Sequence, residues 1–163
     1  MKNLKNYIPA ILFMALAILS SCGGDEGGED GKKDNDVDLD EVATSLSFTW
    51  AFESVTAPSG AGASDIDWSG LSLTVSGDGK GGDYTTTGHD ADNLAEAKKV
   101  WPESGTWTFS DATGKKVTRS DDVVVTISSV TDSALEVIVA VPAASAARTS
   151  GEIDGNWTFK FKK

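Results

Sequence analysis

Strict alternation of apolar and polar residues is the feature of this sequence that most restricts its fold. The alternation begins near Leu46 and returns in separate stretches up to the C-terminus. A period of two places one face of a strand against a core and the other in water, as in half-buried antiparallel strands. Turns rich in Gly, Ser and Asp, such as SGDGKGGD and SDATGKK, separate the stretches. The alternating apolar residues are Leu46, Phe48, Trp50, Phe52; Leu71, Leu73, Val75; Trp107, Phe109; Val123, Val125, Ile127; Leu135, Val137, Val139, Val141; and Trp157, Phe159, Phe161.

The pattern therefore predicts one all-β domain over residues 44–163, built on an antiparallel sheet of seven or eight strands. A small barrel and a two-sheet sandwich both satisfy it, and alternation alone does not choose between them. One short helix is expected near 91–99, where NLAEAKK favours helix and Asp90 or Asp92 can cap its start.

The first 21 residues have the layout of a secretory signal peptide. Lys2 and Lys5 precede an apolar run from Ile8 to Leu19, and small residues follow it. The run has about 12 residues, whereas a membrane-spanning helix needs roughly 20. We therefore predict a signal peptide over residues 1–21.

Cys22 follows this segment directly and is the only cysteine in the chain. Leu19-Ser20-Ser21-Cys22 resembles the lipobox of bacterial lipoproteins. The resemblance implies that the Cys22 sulfur carries a diacylglycerol, that the chain is cut before Cys22, and that the new amino terminus is acylated. Because Gly follows the cysteine, the expected location is the outer membrane, held through the acylated Cys22.

An acidic, glycine-rich segment separates the cysteine from the β-domain. Residues 23–41 contain nine acidic residues and two lysines, and too few apolar residues to offset the entropy of ordering. We predict a disordered tether that, with the lipidated cysteine, covers residues 22–43. Acidic residues after the cysteine also resemble the surface-export signal of Bacteroidota lipoproteins, which implies exposure at the cell surface. A lipoprotein facing the periplasm is the alternative.

Two short and similar motifs in the β-domain are the basis of a second family resemblance. GTWTF at 105–109 and GNWTF at 155–159, together with LSLTVSGDG from Leu71, look like the small lipocalin-like lipoproteins of Bacteroidota. In that family the strands form a meander, and G-x-W opens a strand at the barrel base. The first strand here reads SFTW and lacks the glycine. The resemblance implies a lipocalin-like barrel with a central pocket, and the two-sheet sandwich stays as the alternative.

The five tryptophans supply the candidate binding residues. Trp50, Trp107 and Trp157 are in phase with the apolar faces of their strands and are expected in the core. Trp68 and Trp101 instead lie at the ends of elements beside polar residues. We predict that these two are exposed and bind a ligand, since flat aromatic faces stack on sugars and on small apolar molecules.

Charge and motifs argue against several other classes. The formal net charge is −11, and no basic stripe favours a nucleic-acid partner. G-x-G-x-x-G over 77–82 leads into another strand and predicts a hairpin. His89 is the only histidine and no G-x-S-x-G is present, so we predict no catalytic residue, metal site or cofactor. The carboxylate pair Asp65 and Asp67 keeps a hydrolase as a third alternative.

One modification signal lies in a predicted turn. Asp132-Ser133-Ala134 resembles the O-glycosylation sequon of Bacteroidota secreted proteins, which implies a glycan on Ser133. The leading expectation is a lipid-anchored surface lipoprotein whose non-enzymatic β-domain binds a glycan or a small apolar molecule. The second is an accessory subunit that docks on a larger outer-membrane complex.

Overall fold

Eight antiparallel strands close into one barrel in the computed structural model, which describes residues 37–59, 63–143 and 153–163. Each strand pairs with the next along the chain, and the last pairs with the first. The all-β prediction is confirmed, and the fold is the lipocalin-like barrel rather than the two-sheet sandwich. The elements are α1 (Leu39–Leu46), β1 (Thr49–Thr56), β2 (Ser72–Asp78), β3 (Gly81–Thr87), α2 (Leu94–Val100), β4 (Ser104–Phe109), β5 (Lys116–Arg119), β6 (Val124–Val130), β7 (Ala134–Val141) and β8 (Gly155–Lys162).

The predicted period of two determines which side chains fill the barrel. Along β7, Leu135, Val137 and Val139 are buried, and the residues between them are more exposed. Trp50, Trp107 and Trp157 are buried as expected. Closure also protects the apolar C-terminal strand, because β8 pairs with β1 on one side and β7 on the other and leaves no free edge.

The two ends of the barrel are built differently. At one end, called here the hairpin end, residues 79–80, 110–115 and 131–133 connect β2 to β3, β4 to β5, and β6 to β7. At the other, called here the loop end, residues 57–71 and 88–103 form long connections, and the second of them contains α2. Of the connections at the hairpin end, the G-x-G-x-x-G segment forms the predicted hairpin. Its Gly81 has φ +139°, and a Cβ on Gly82 would overlap the carbonyl oxygen of Ser76.

Helix α1 covers the hairpin end and corrects the predicted boundary of the tether. The tether was expected to run through residue 43, but α1 begins at Leu39. Asp38 caps the helix by accepting the Asp40 amide at 3.0 Å. Ala43 and Leu46 are buried, and Leu39 and Val42 lie half-buried on the same face. Three of the acids that suggested disorder, Asp38, Asp40 and Glu41, therefore occupy the cap and first turn of a helix, where negative charge is favourable.

The short helix expected near 91–99 is confirmed as α2, which starts at Leu94. Neither Asp90 nor Asp92 is its N-cap, because that position is Asn93, which makes no side-chain capping bond. Asp90 instead organises the preceding loop by accepting the amides of Asp67 and Asp92, each at 2.9 Å. None of the helices in the described ranges is long and apolar enough to cross a membrane.

Candidate functional site

The barrel interior contains a cavity on the side formed by β2 to β7. Its volume is about 50 Å³. The side chains expose an apolar surface to this space. The lining residues are Leu46, Leu73, Val75, Tyr84, Trp101, Trp107, Val117, Arg119, Val125, Ile127, Leu135 and Val137.

The opposite side of the interior is filled with aromatic rings. Trp157 and Phe159 are stacked with their ring centroids 6.2 Å apart, and Phe159 and Phe161 are stacked at 5.9 Å. All three side chains are fully buried. Because β8 carries these rings, the unfilled space lies beside the smaller aliphatic side chains of the other strands.

Trp101 is placed inside the barrel, contrary to the sequence-based expectation of exposure. It is 3 % exposed and packs edge-on against Tyr84, Phe159 and Phe161. The chain turns inward after α2, so the polar neighbours that suggested a surface position lie outside while the ring enters the loop end. Trp101 lines the cavity, and its role in ligand binding stays a prediction.

Three successive backbone carbonyls hold the Trp101 segment at the loop end. The Val100 oxygen accepts from Arg119 Nη1, and the Pro102 oxygen accepts from Thr86 Oγ1, both at 2.7 Å. The Trp101 oxygen lies 2.7 Å from Nε2 of His89, which donates because the carbonyl can only accept. His89 therefore has a structural partner, and the three hydrogen bonds hold the Trp101 ring in place.

Trp68 is also buried, and the expectation of exposure is wrong for it as well. Its ring is 3 % exposed and packs edge-on against Trp157 at 5.6 Å and Phe159 at 5.1 Å. Residues 63–71 of this connection fold back over the loop end, so that their apolar side chains are buried there. Trp68 does not line the cavity. Neither of the two candidate tryptophans offers an open face on which a sugar could stack.

A buried arginine at the cavity wall was not found by the sequence reasoning. Arg119 is 3 % exposed. Its guanidinium donates to both carboxylate oxygens of Asp121, at 3.0 and 2.6 Å. The guanidinium carbon lies 5.2 Å from the ring centroid of Trp101 and 5.8 Å from that of Tyr84. The period of two was a usable signal, because Arg119 follows the inward-facing Val117 by two residues.

The charges of this cluster are balanced within the protein. Burial raises the pKa of the Tyr84 hydroxyl, and the Arg119 charge opposes that shift only in part. Partial burial would raise the pKa of Asp121, but the hydrogen bonds and charge of Arg119 outweigh it and lower that pKa. Asp121 is therefore an ionised partner at neutral pH, and the pair presents no net charge beside the cavity.

The remaining candidate residues lie apart from the cavity. Ser133 is exposed in the connection between β6 and β7, where glycosylation stays a prediction. Asp65 and Asp67 accept local bonds from Ser64 Oγ and the Ser69 amide. Across the described ranges, no group of three or more His, Cys, Asp or Glu side chains is arranged to hold a metal ion.

The two family resemblances differ in how the structure bears on them. Cys22 and the signal segment lie outside the described residues. The resemblance to lipocalin-like proteins agrees with the closed barrel, although β1 opens without the G-x-W glycine. Comparison of the chain with protein families, curated proteins and solved structures finds no match.

Proposed function

We propose that this chain is a lipid-anchored, outer-membrane surface lipoprotein whose β-barrel binds a small apolar ligand and catalyses no reaction. The observation that carries the binding function is the apolar cavity on one side of the closed barrel. Apolar cavities exclude water, and filling one with an apolar group lowers the free energy. The lipid anchor and the surface location rest on the signal segment and on the lipobox-like residues that end at Cys22.

The chemistry of the wall favours an apolar ligand over a glycan. A sugar needs hydrogen-bonding partners for its hydroxyls, and the surface exposed to the cavity is apolar. Both candidate tryptophans are buried edge-on among other aromatic rings.

The accessory-subunit alternative stays a prediction. The large hydrophobic residues exposed in the described ranges, Val37, Phe48, Leu94 and Val124, come from four separate segments.

The test is a pair of substitutions at adjacent positions on β6. Val125 faces the cavity, whereas Val124 is 37 % exposed on the outer face. The full chain with 13C-labelled methyl groups is titrated with xenon and with pentane. We expect saturable shifts of the cavity methyl resonances that Val125→Phe abolishes and Val124→Phe preserves. Absence of saturable shifts, or equal shifts in both variants, would show that the cavity does not bind apolar ligands.

A further inference from the structure

Two buried tryptophan rings close the loop end of the barrel in the part of the chain that the structure describes. The rings of Trp68 and Trp101 occupy it, each only 3 % exposed. The segment around Trp101 is bonded through three consecutive carbonyls, as described above. A ligand that entered here would have to break those bonds and displace both rings. Entry of a ligand at this end therefore has a high free-energy cost.

On three of the strands that line the cavity, inward-facing side chains become more exposed toward the hairpin end. On β2, Leu73 is 2 % exposed, and Val75, one inward position further on, is only half-buried. On β4, the buried Trp107 is followed by the half-buried Phe109. On β6 the same change leads to the half-buried Val130. Three strands thus agree that the cavity opens toward the hairpin end.

The element over this opening is α1, an eight-residue helix whose half-buried Val42 packs against the core. The Gly79 amide donates to Asp40 Oδ1 at 2.6 Å, and Trp50 Nε1 donates to the Leu46 carbonyl at 2.9 Å. Ala43 and Leu46 supply its fully buried apolar contacts. Helices of eight residues are marginal without tertiary contacts, so a local displacement of α1 costs little compared with opening the loop end.

The size and chemistry of the cavity limit what can enter there. An engineered apolar cavity that encloses benzene has a volume of about 150 Å³, whereas this one offers about 50 Å³. A ligand as large as benzene therefore does not fit inside completely, but the end of a slender ligand does. The surface exposed to the cavity is apolar and the Arg119 guanidinium is already paired with Asp121, so a polar head group stays outside.

We propose that the cavity takes the hydrocarbon end of a single-chain amphiphile, which enters beneath α1 at the hairpin end and leaves its polar head in solvent. This inference rests on the proposed binding function and adds the class of ligand and its orientation. Affinity rises about fourfold with each added methylene, until the cavity is filled, because each buried methylene contributes a similar free energy.

Bromine quenching of tryptophan fluorescence tests the orientation. The full chain is stabilised by an amphipathic polymer so that no free detergent competes, and it is titrated with 12-bromododecanoate or 2-bromododecanoate. Bromine quenches on contact, and Trp101 and Trp107 line the cavity. We expect saturable quenching that is several-fold stronger with bromine at the chain end. Equal quenching, or stronger quenching by the 2-bromo compound, would overturn the proposal.

Two charged substitutions locate the opening. Val130→Asp adds a charge at the hairpin end and is expected to weaken dodecanoate binding by about tenfold. Leu94→Asp changes an exposed leucine on α2 at the loop end and should leave the affinity within about twofold. The proposal is overturned if Leu94→Asp weakens binding more than Val130→Asp does. If a variant does not fold, the bromine comparison on the unchanged chain decides the question. No quenching by either compound overturns the proposal but spares the binding function if xenon still binds. If neither bromo compound quenches and xenon does not bind, both the proposal and the binding function are refuted.

Discussion

Replacing Asp121 with Asn should destabilise the barrel, because it leaves the guanidinium of Arg119 buried without its counter-ion. Losing one partner of a fully buried ion pair costs about 3–5 kcal/mol. The Asp121 side chain is 36 % exposed, whereas that of Arg119 is 1 % exposed, so water can replace part of the lost interaction. We therefore expect a loss of about 2–3 kcal/mol in the free energy of unfolding. For a domain of this size that corresponds to a melting temperature lower by roughly 10 °C.

Thermal unfolding followed by near-ultraviolet circular dichroism measures this loss, with Asp122→Asn as the matched control. Asp122 is exposed and has φ +63°, a conformation that Asn tolerates. The pKa of Asp121 is lowered in the folded state, so its stabilisation is present above the unfolded pKa of about 3.9 and is lost as the pH falls through the folded value. The difference between wild type and Asp121→Asn should be largest near pH 7 and shrink below pH ~4. A variant as stable as wild type, or a difference independent of pH, would refute the reasoning.

Two further predictions concern the anchor and the loop end. Cys22→Ser should abolish metabolic labelling with palmitate and release the chain from the membrane fraction, and a labelled variant would contradict the anchor at that sulfur. Asp90→Ala should speed hydrogen exchange of the Asp67 and Asp92 amides, which donate to the Asp90 carboxylate. Hydrogen bonding, chiefly from the side chain of Asn93, lowers the pKa of Asp90 to about 2, so these amides should stay protected at pH 4 and lose protection only as the pH falls toward 2. Exchange in Asp90→Ala that matches wild type would refute this role.

The strands were predictable because a period of two is a local property of the chain. Val123, Val125 and Ile127 alternate with polar or exposed positions, and all three are buried in the barrel. Closure was not predictable in the same way. The choice between barrel and sandwich depends on the pairing of β1 with β8, which joins positions more than a hundred residues apart. Alternation contains no information about which strands become neighbours.

The binding residues were harder to predict because the reasoning took polar neighbours as a sign of exposure. Trp68 follows Asp67 and Trp101 precedes Pro102, yet both rings turn inward from connections that fold over the barrel. A related error hid α1, because its cap residue Asp38 was assigned with the other acidic residues to a disordered tether. Arg119 was overlooked because a charged residue at an inward position was not considered. In each case the tertiary environment decided the location against the local composition.

The seam between β1 and β8 has a consequence for how the protein reaches its native state. A meander that closes by joining its first and last strands gains its final row of hydrogen bonds only when the C-terminal segment arrives. Until then β7 presents an apolar edge, and Phe159 and Phe161 have not yet entered the core. Long-range closure of this kind is slow and leaves aggregation-prone intermediates. The slow last step therefore lengthens the time for which the edge of β7 and the aromatic rings of β8 are open to aggregation.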